Sequence, residues 1–600
     1  MTDTLLRIGG ASGFWGDAAR ATPQLLSVVG LDYIVYDYLA EITMSIMARA
    51  RAKDELKGYA SDFVSAAMKP NLSLIAERGI KVISNAGGVN PEACVKALRQ
   101  VIAEQGLNLS VACVIGDDLI SSKESMQTSG TTEMFSGTAF PSSEKILSIN
   151  AYLGAFPIAQ ALTAGADIVV TGRCVDSAVT LGACIHAFDW RRDDLDQLAM
   201  GSLAGHILEC GPQATGGNFT DWEQVQGMSD MGYPIAEISC DGSFVCTKPE
   251  HTGGIVSVGT VSEQMLYEIG DPQAYMLPDV VCDFSTARIE QIGEDRVHVS
   301  GAKGRVAPDT YKVSATYADE FRGGTYMTFY GIDANRKAHA LGEAIFEAAR
   351  RVFRNVGLSD FSETSIELLG TETHYGAFSK VTDSREIVMK IAVKHPDITG
   401  VGIFLKEAVG LGLATPPGLS GFAGSRPSPS PVVRLFSYTV PKTKAQAQVL
   451  LDDEVIDCNE VYGEVLDVKA IPRPETPNVD KSMQMVKVPL IALAWGRSGD
   501  KGDKANIGII ARKQEYLPYI CAALTEAVVL QRFAHFLNDP TKGSVERYLL
   551  PASNAINFLL HDVLGGGGVA SIRNDAQGKG YAQLLLSCPI SIPTAIAETQ

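Results

Sequence analysis

The alternation of short β-branched runs with helical segments in the first half of the chain limits most strongly what it can fold into. The runs lie at Leu5–Ile8, Tyr33–Tyr36, Lys81–Ser84, Val111–Ile115 and Asp167–Thr171. Between them lie segments with helical periodicity, among them Pro91–Glu104, which opens with a proline suited to the first turn of a helix. This spacing predicts a largely parallel sheet covered by helices. Because such sheets bind ligands at the carboxyl ends of their strands, the turns after these runs are the first candidates for a site.

The pattern changes after about residue 255. Strand-like runs joined by short turns follow at Val256–Val261, Asp279–Phe284, Arg296–Ser300 and Tyr311–Tyr317. They predict a mixed β portion, and helical periodicity returns at Ala338–Asn355. The proline-rich segment Arg426–Pro431 cannot pack as a regular element. We therefore predict an α/β fold in three parts: a large N-terminal α/β domain over 1–450, an acidic, proline-rich linker over 451–487 and a small α+β domain over 488–600.

Composition excludes several classes of protein. With 69 acidic and 51 basic residues the net charge is −18, which argues against a nucleic-acid partner. The eleven cysteines are too few for a disulfide scaffold and form no Cys-x-x-Cys pair, so the strongest zinc signature is missing. Asp117–Asp118 and the pair Asp500 and Asp503 could bind Mg²⁺, but paired aspartates on loops are usually only solvated, and we assign no metal ligand. The N-terminus lacks an apolar signal, and the uncharged stretch Ile146–Ala166 carries polar residues typical of a buried helical region. We predict a cytoplasmic protein with no membrane segment.

Glycine-rich turns follow the first and third candidate strands. The first has glycines three apart, which is not the dinucleotide fingerprint, but its backbone N–H groups can hold an anionic group at a helix start. The second offers close backbone approach before a helix that Asn90 can cap. Both turns can also be explained without a ligand, as tight connections from a strand to a helix. We assign the following as candidate binding residues: Gly10, Ser12, Gly13, Asp17, Gly87 and Gly88.

The turn Thr171–Ser177 places a cation, a thiol and a carboxylate within seven residues. Arg173 can clamp a carboxylate or phosphate through two parallel hydrogen bonds. Asp176 can hold Arg173, act as a base, or cap the next helix. Cys174 would be nucleophilic if Arg173 depressed its pKa, although most lone cysteines are small buried hydrophobes.

Two further loops supply candidates for proton transfer. Glu209 opens an irregular polar loop, and His251 is followed by two glycines that indicate a turn. Together they would form an acid/base pair, because one site runs both steps when two titratable groups have different pKa values. The sequence does not say whether they lie near each other.

The most unusual segment is a tandem Gly-Asp-Lys repeat after an apolar run near the C-terminus. Its spacing is not that of a P-loop. The candidates for phosphate binding in this segment are Arg497, Ser498, Lys501, Lys504 and Asn506. The alternative is a solvated, charged hairpin.

Several of these segments resemble one known family. The motifs are Gly9–Asp17, Asp37–Met44, Asn85–Pro91, Asn150–Asp176 and Glu209–Asn218. They resemble the acyclic terpene utilisation protein A family, and Arg497–Gly508 resembles its ferredoxin-like C-terminal domain. The resemblance implies a place in bacterial degradation of terpenes such as citronellol and geraniol, whose intermediates are coenzyme A thioesters. It assigns no catalytic residue.

We therefore predict an enzyme of branched acyl-CoA catabolism that performs acid/base chemistry, either hydration/dehydration or carbon–carbon cleavage. Asp176, Glu209 and His251 would move protons, coenzyme A would carry the substrate, and no cofactor is certain. One alternative is a non-catalytic assembly or binding partner of an acyl-CoA-processing complex. The other is an NAD-dependent oxidoreductase, which the missing fingerprint disfavours. A homo-oligomer or an acyl-CoA carboxylase-type partner is the expected assembly.

Overall fold

The computed structural model describes residues 5–598, apart from positions 382, 422–423, 425, 453, 459–462, 480–482, 538, 540 and 542. Within these residues an eleven-stranded sheet forms the centre of the N-terminal part. Its strands in spatial order are Arg288–Gly293, Arg296–Ser300, Phe244–Thr247, Ile235–Ile238, Leu6–Gly10, Tyr33–Tyr36, Lys81–Ser84, Ile168–Thr171, Val111–Ile115, Gln448–Leu451 and Glu454–Asp457. The five from Leu6–Gly10 to Val111–Ile115 are parallel, and antiparallel strands extend both edges.

Helices cover both faces of the parallel strands. On one face pack Ala18–Leu26, Glu41–Lys53, Leu72–Arg78 and Pro91–Glu104. On the other pack Phe156–Thr163, Ala178–Phe188, Leu195–Leu208 and Val258–Leu266. The chain therefore leaves the neighbouring strands Lys81–Ser84 and Ile168–Thr171 toward opposite faces. Such a switch point opens a crevice at the carboxyl ends of the two strands, which is where open α/β sheets bind ligands.

A second sheet lies beside the first. The structure describes six strands in it, Glu363–Leu369, Glu386–His395, Thr310–Tyr330, Leu419–Ser420, Ser430–Pro441 and Ile146–Ala151. Helices Ala334–Val356 and Ile398–Gly410 bury their apolar residues against it. A third, small sheet consists of the strands Lys303–Arg305, Val281–Asp283 and Tyr275–Met276 and packs against the helix Leu195–Leu208. The short helix Lys123–Thr128 precedes the strand Ile146–Ala151 in the chain.

The C-terminal part has its own apolar core. Its described strands are Ala494–Lys501, Lys504–Ala511, Ala555–Leu560 and Val545–Leu550 in one sheet, with Met485–Pro489 and Pro589–Pro593 paired separately. Its helices are Leu517–Ala523, Glu526–Phe533, Gly567–Ala570, Tyr581–Leu586 and Thr594–Ala597. Arg512 joins it to the N-terminal part by two hydrogen bonds of 2.6 Å to the carboxylate of Asp221. The tandem Gly-Asp-Lys segment forms a hairpin whose strands pair Lys501 with Lys504.

The predicted α/β class is confirmed, and three central strands and the helix Pro91–Glu104 have the predicted bounds. The strand expected at Val256–Val261 is wrong. A helix, Val258–Leu266, begins there because Ser257 and Thr260 form a reciprocal capping box. The helical region expected over Ile146–Ala166 is also corrected, since a strand over Ile146–Ala151 precedes a shorter helix.

No single helix in the described ranges is long and apolar enough to cross a membrane. One bent pair of helical segments, Gln514–Ala523 and Glu526–Phe536, satisfies the length and composition test when taken together.

Candidate functional site

Charged and aromatic side chains gather in a cleft at the carboxyl ends of the parallel strands. We define this cleft by Asp37, Glu41, Tyr152, Arg173, Asp176, His206, Glu209, Glu268, Tyr275, Lys312 and Lys501. Lys501 is exposed and 37% of the Asp176 side chain is accessible, so a ligand from solvent can reach both charged groups.

Two strand ends hold the floor of the cleft. Asp37 follows Tyr33–Tyr36, and Asn85 follows the neighbouring strand. The Asn85 side-chain amide donates to Asp37 Oδ1 at 2.5 Å and accepts from the backbone N–H of Tyr38 at 2.8 Å. Ser12 donates to the carbonyl oxygen of Asp37 at 2.8 Å, which ties the first glycine-rich turn to the same floor.

Arg173 lies at the centre of the cleft and is buried. Its Nη1 donates to Asp176 Oδ1 at 2.6 Å and to the carbonyl of Cys174 at 2.9 Å, and its guanidinium carbon lies 4.1 Å from the centre of the Tyr152 ring. Its backbone N–H donates to Asp117 Oδ2 at 2.8 Å, which fixes the turn. Among the described residues, Nε of Arg173 has no hydrogen-bond partner. A buried arginine with an unused donor is suited to binding an anionic ligand.

The carboxyl groups of the cleft raise one another's pKa. Burial, together with the nearby charges of Asp176 and Glu209, raises the pKa of Asp37 well above its ordinary value, although Arg173 opposes the shift. Burial likewise raises the pKa of Glu209, against the effect of His206. Carboxyl groups that take up protons more readily than usual are the groups that general acid catalysis requires.

An imidazole next to Glu209 completes a dyad. His206 Nδ1 lies 2.8 Å from Glu209 Oε1, and no partner for Nε2 occurs in the described part of the chain. Burial lowers the pKa of His206, but the contact with Glu209 more than reverses this and raises it. The ring centre lies 6.1 Å from that of Tyr275.

A tyrosine, a carboxylate and a lysine form the opposite wall. The hydroxyl of Tyr152 donates to Glu41 Oε1 at 2.8 Å, and Lys312 Nζ lies 3.6 Å from the same oxygen. Burial would raise the pKa of Glu41, but Lys312 and Arg173 lower it to about 2. The pKa values of Glu41 and Asp37 are therefore shifted in opposite directions.

The C-terminal part contributes Lys501 to the cleft. Its Nζ lies 5.8 Å from the centre of the Tyr275 ring, and Tyr275 and Glu268 raise its pKa although burial opposes this. Lys504, its partner across the hairpin, has its Nζ 4.1 Å from the centre of the Phe135 ring instead. The two predicted lysines therefore have different surroundings.

The other predicted residues of this segment join the two parts of the chain. Arg497 donates to the carbonyl of Asn218 at 3.1 Å and to the side chain of Gln213. Ser498 donates to the carbonyl of Gly578 at 2.6 Å. Asn506 accepts from the backbone N–H of Glu268 at 2.8 Å and donates to Asn557 at 3.0 Å. Their role as phosphate ligands stays a prediction.

The predicted glycines lie where the backbone leaves no room for a side chain. A Cβ atom on Gly10 would lie 2.7 Å from the carbonyl oxygen of Leu208, and one on Gly13 would lie 2.7 Å from the carbonyl carbon of Cys210. A Cβ on Gly87 would lie 2.4 Å from the carbonyl oxygen of Thr171, so the turns after two neighbouring strands touch.

Gly88 has a φ of +54°, which favours glycine. Asp17, the last predicted residue of the first turn, accepts from the backbone N–H of Gly13 at 2.9 Å. Burial raises the pKa of Asp17 to about 6.

The structure brings together four of the predicted residues, Arg173, Asp176, Glu209 and Lys501. His251 is exposed on a turn with a φ of +62°, and the imidazole in contact with Glu209 is that of His206. Cys174 is buried, and burial raises its pKa to about 12, so it is not an activated thiolate.

The comparison with protein families decides the assignment. The model of the acyclic terpene utilisation family protein AtuA matches residues 6–451. The chain belongs to this family. The model of the AtuA ferredoxin-like domain matches residues 488–591, which include the hairpin that carries Lys501. No curated protein and no solved structure matches the chain.

Membership of the family implies a role in acyclic terpene utilisation, and the predicted resemblance is confirmed. The cleft of this family member combines residues from both matched regions, since Lys501 lies within the second and the remaining cleft residues within the first. Across the described ranges, no group of three or more histidine, cysteine or carboxylate side chains is arranged to hold a metal ion.

Sequence reasoning missed seven cleft residues, namely Asp37, Glu41, Tyr152, His206, Glu268, Tyr275 and Lys312. A usable signal existed for Asp37, which directly follows a predicted strand, and for His206, which stands three residues before Glu209 in the last turn of a helix. Tyr152 and Lys312 come from neighbouring strands of the second sheet, and no local pattern relates them to the first.

Proposed function

We propose that the cleft is the active site of an enzyme that performs acid/base chemistry on a branched acyl-CoA thioester. One observation carries the proposal: Asp37, whose pKa burial and the charges of Asp176 and Glu209 raise, lies close to an accessible carboxylate and to an arginine with an unused donor. A proton donor, a proton acceptor and an oxyanion ligand are what enolate chemistry on a thioester needs.

Arg173 would stabilise the negative charge that develops on the thioester oxygen. Within the described residues, the hydrogen bonds to the Asp37 carboxyl fall on Oδ1, from Asn85 and from the backbone of Leu39, which leaves Oδ2 for the substrate. In a hydration, Asp176 would take a proton from water while the water oxygen bonds to the β-carbon. Asp37 would then give its proton to the α-carbon. Carbon–carbon cleavage would use the same groups in a retro-addition.

Coenzyme A is anionic, and a chain with a net charge of −18 must offer it local positive charge. Lys501 supports this role because it is exposed within the cleft and brings a positive charge close to Asp176 and Glu268. Arg497, by contrast, already donates to Asn218 and Gln213.

A thermal-shift titration with coenzyme A, a ten-carbon branched enoyl-CoA and NAD tests the proposal. A ligand at a hundred times its Kd stabilises the folded state by about 2.7 kcal/mol. We expect a shift with both coenzyme A compounds. The shift should be lost in Lys501→Met and kept in Lys504→Met, the matched change across the hairpin. Conversion of the enoyl-CoA, followed as loss of its ultraviolet absorbance, would establish the reaction.

Other outcomes would overturn the proposal. A shift with NAD alone would favour the oxidoreductase. Absence of a shift with all three compounds would favour a non-catalytic partner of an acyl-CoA-processing complex, such as a carboxylase. An equal loss of the shift in both lysine variants would assign the effect to the charge of the hairpin as a whole.

A further inference from the structure

We propose that a pocket beside the cleft binds the hydrocarbon chain of the acyl group. The pocket has a volume of about 520 Å³ and lies between the helix Glu41–Lys53 and the second sheet. Half of its ten lining residues are apolar, namely Ala48, Ala52, Val89, Ile120 and Leu147. Pockets of roughly 300–1,000 Å³ are typical of sites for small organic ligands.

The pocket adjoins the cleft. A small cavity of about 10 Å³, lined by Arg173, Tyr152 and Met44, lies between them. Ser148 and Asn150 line both this cavity and the larger pocket. An acyl chain whose thioester lies at Arg173 would therefore enter the pocket past these two residues. Met44 is unbranched and adaptable, so its side chain can move aside for the chain.

Two polar residues of the wall are already hydrogen-bonded. Ser148 Oγ lies 2.7 Å from the hydroxyl of Thr316, and the amide of Asn150 donates to Asp117 Oδ2 at 2.8 Å. They fix the shape of this part of the wall without requiring a polar ligand. A hydrocarbon beside these two residues breaks neither hydrogen bond and gains from leaving water.

The rim also disfavours an anionic occupant. The pocket's arginine, Arg51, donates to the carbonyl of Val89 and lies 3.4 Å from the carboxylate of Asp118. Glu55 adds another negative charge to the lining. A phosphate of coenzyme A would meet two carboxylates and an arginine that is already paired. The pocket therefore suits the apolar end of the substrate, and the branched acyclic chain is the occupant we assign to it.

This assignment rests on the proposed function, so its test separates the two. In Ala52→Trp an indole would occupy the pocket from an exposed position on its helix, where the fold should tolerate it. The matched control is Ala103→Trp, at an exposed alanine of another helix. Isothermal titration would compare a ten-carbon branched enoyl-CoA, a five-carbon branched enoyl-CoA and free citronellate, with the melting temperature of each variant as a check on folding.

We expect Ala52→Trp to weaken binding of the ten-carbon thioester and of citronellate about tenfold, the loss that corresponds to about two buried methylenes. The five-carbon thioester should bind as before, and Ala103→Trp should change nothing. Equal weakening of both thioesters would place the pantetheine arm in the pocket and overturn the proposal, as would no weakening of either. Citronellate binding that Ala52→Trp abolishes, without binding of any thioester, would keep the pocket and overturn the proposed function.

Discussion

Two buried polar clusters of this chain contain similar residues but have opposite electrostatics. In the cleft, the pKa of Asp37 is raised well above its ordinary value. In the second cluster, where the second sheet meets the C-terminal part, Glu367 accepts from Lys390 at 2.5 Å, from His374 at 2.9 Å and from the backbone of Asn574. Burial would raise the pKa of Glu367, but these donors lower it to about 2.

The difference lies in whether the hydrogen-bonding groups find partners. Both oxygens of Glu367 accept hydrogen bonds, and Lys390 also donates to the carbonyl of Ile572. In the cleft, Nε of Arg173 and Nε2 of His206 have no partner within the described residues. A satisfied cluster stabilises the junction of two parts, whereas an unsatisfied one retains binding capacity for a ligand. The predictions below test that distinction.

The largest effect is expected from Asp37→Asn. If Asp37 donates the proton, the amide should lower kcat/KM for the enoyl-CoA by roughly 100- to 10,000-fold. The free energy of unfolding should stay about the same, because a neutral amide replaces a carboxyl group whose raised pKa favours its neutral form, and an oxygen remains to accept from Asn85. Steady-state kinetics and urea unfolding measure the two quantities.

The control for this change is Asp32→Asn, at an exposed aspartate that accepts from the backbone of Arg7. It should leave kcat/KM as it is. If Asp37→Asn destabilised the fold and spared activity, the cleft would be a structural cluster like that of Glu367.

The next effect concerns pH. Burial raises the pKa of Asp117, which supports the Arg173 turn, from 3.8 to about 7. The folded state thus binds this proton more tightly than the unfolded state. The contribution to stability is complete below pH 4 and is lost as the pH rises to 7. We expect urea unfolding to show that the free energy of unfolding of the wild type falls by up to about 4 kcal/mol, relative to that of Asp117→Asn, between pH 4 and pH 7.

The contribution of Glu367 to stability should depend on pH with the opposite sign. The pKa of Glu367 is lowered from 4.5 to about 2, so its contribution is present above pH 4.5 and is lost as the pH falls toward 2. Urea unfolding over a range of pH should show that the wild type loses stability relative to Glu367→Gln as the pH falls. Parallel pH profiles for the two comparisons would contradict the distinction between the clusters.

A smaller effect is expected from Lys390→Met. Removal of one partner of a buried ion pair leaves the carboxylate of Glu367 undercompensated, and the free energy of unfolding should fall by about 3 kcal/mol. The activity on the enoyl-CoA that we propose should be retained by the folded variant. The matched control is Arg191→Met, since Arg191 pairs with Asp193 at 3.7 Å and both side chains are more than 70% exposed. It should cost less than about 0.5 kcal/mol.

The sequence predicts the centre of the fold well because local patterns determine it. Tyr33–Tyr36 and Lys81–Ser84 are β-branched or apolar runs that a parallel sheet buries on both faces. It predicts Val256–Val261 wrongly because the capping box at Ser257 outweighs the β-branched pattern. It also underestimates Thr310–Tyr330, since Gly323 and Gly324 look like breakers, although pairing with Glu386–His395 carries the strand through them.

The sequence predicts those residues of the candidate site that lie directly after a strand. Arg173 and Asp176 follow the strand Ile168–Thr171, and the loop pattern points to both. Lys312 and Glu41 meet only through tertiary packing, so no local pattern reveals them. The tandem Gly-Asp-Lys segment is predicted as a feature of interest, yet the sequence cannot tell that one of its lysines faces the cleft and the other Phe135.

The position of Lys501 has a consequence for how the protein is made. The ribosome releases the residues near the C-terminus last, and Lys501 reaches the cleft from a hairpin in that region. During synthesis the N-terminal part can collapse around its own cores while the acids of the cleft still lack this lysine. On the proposed function, catalytic competence therefore arises only once the second matched region has been translated, and a chain that stops before Lys501 would bind no thioester intermediate.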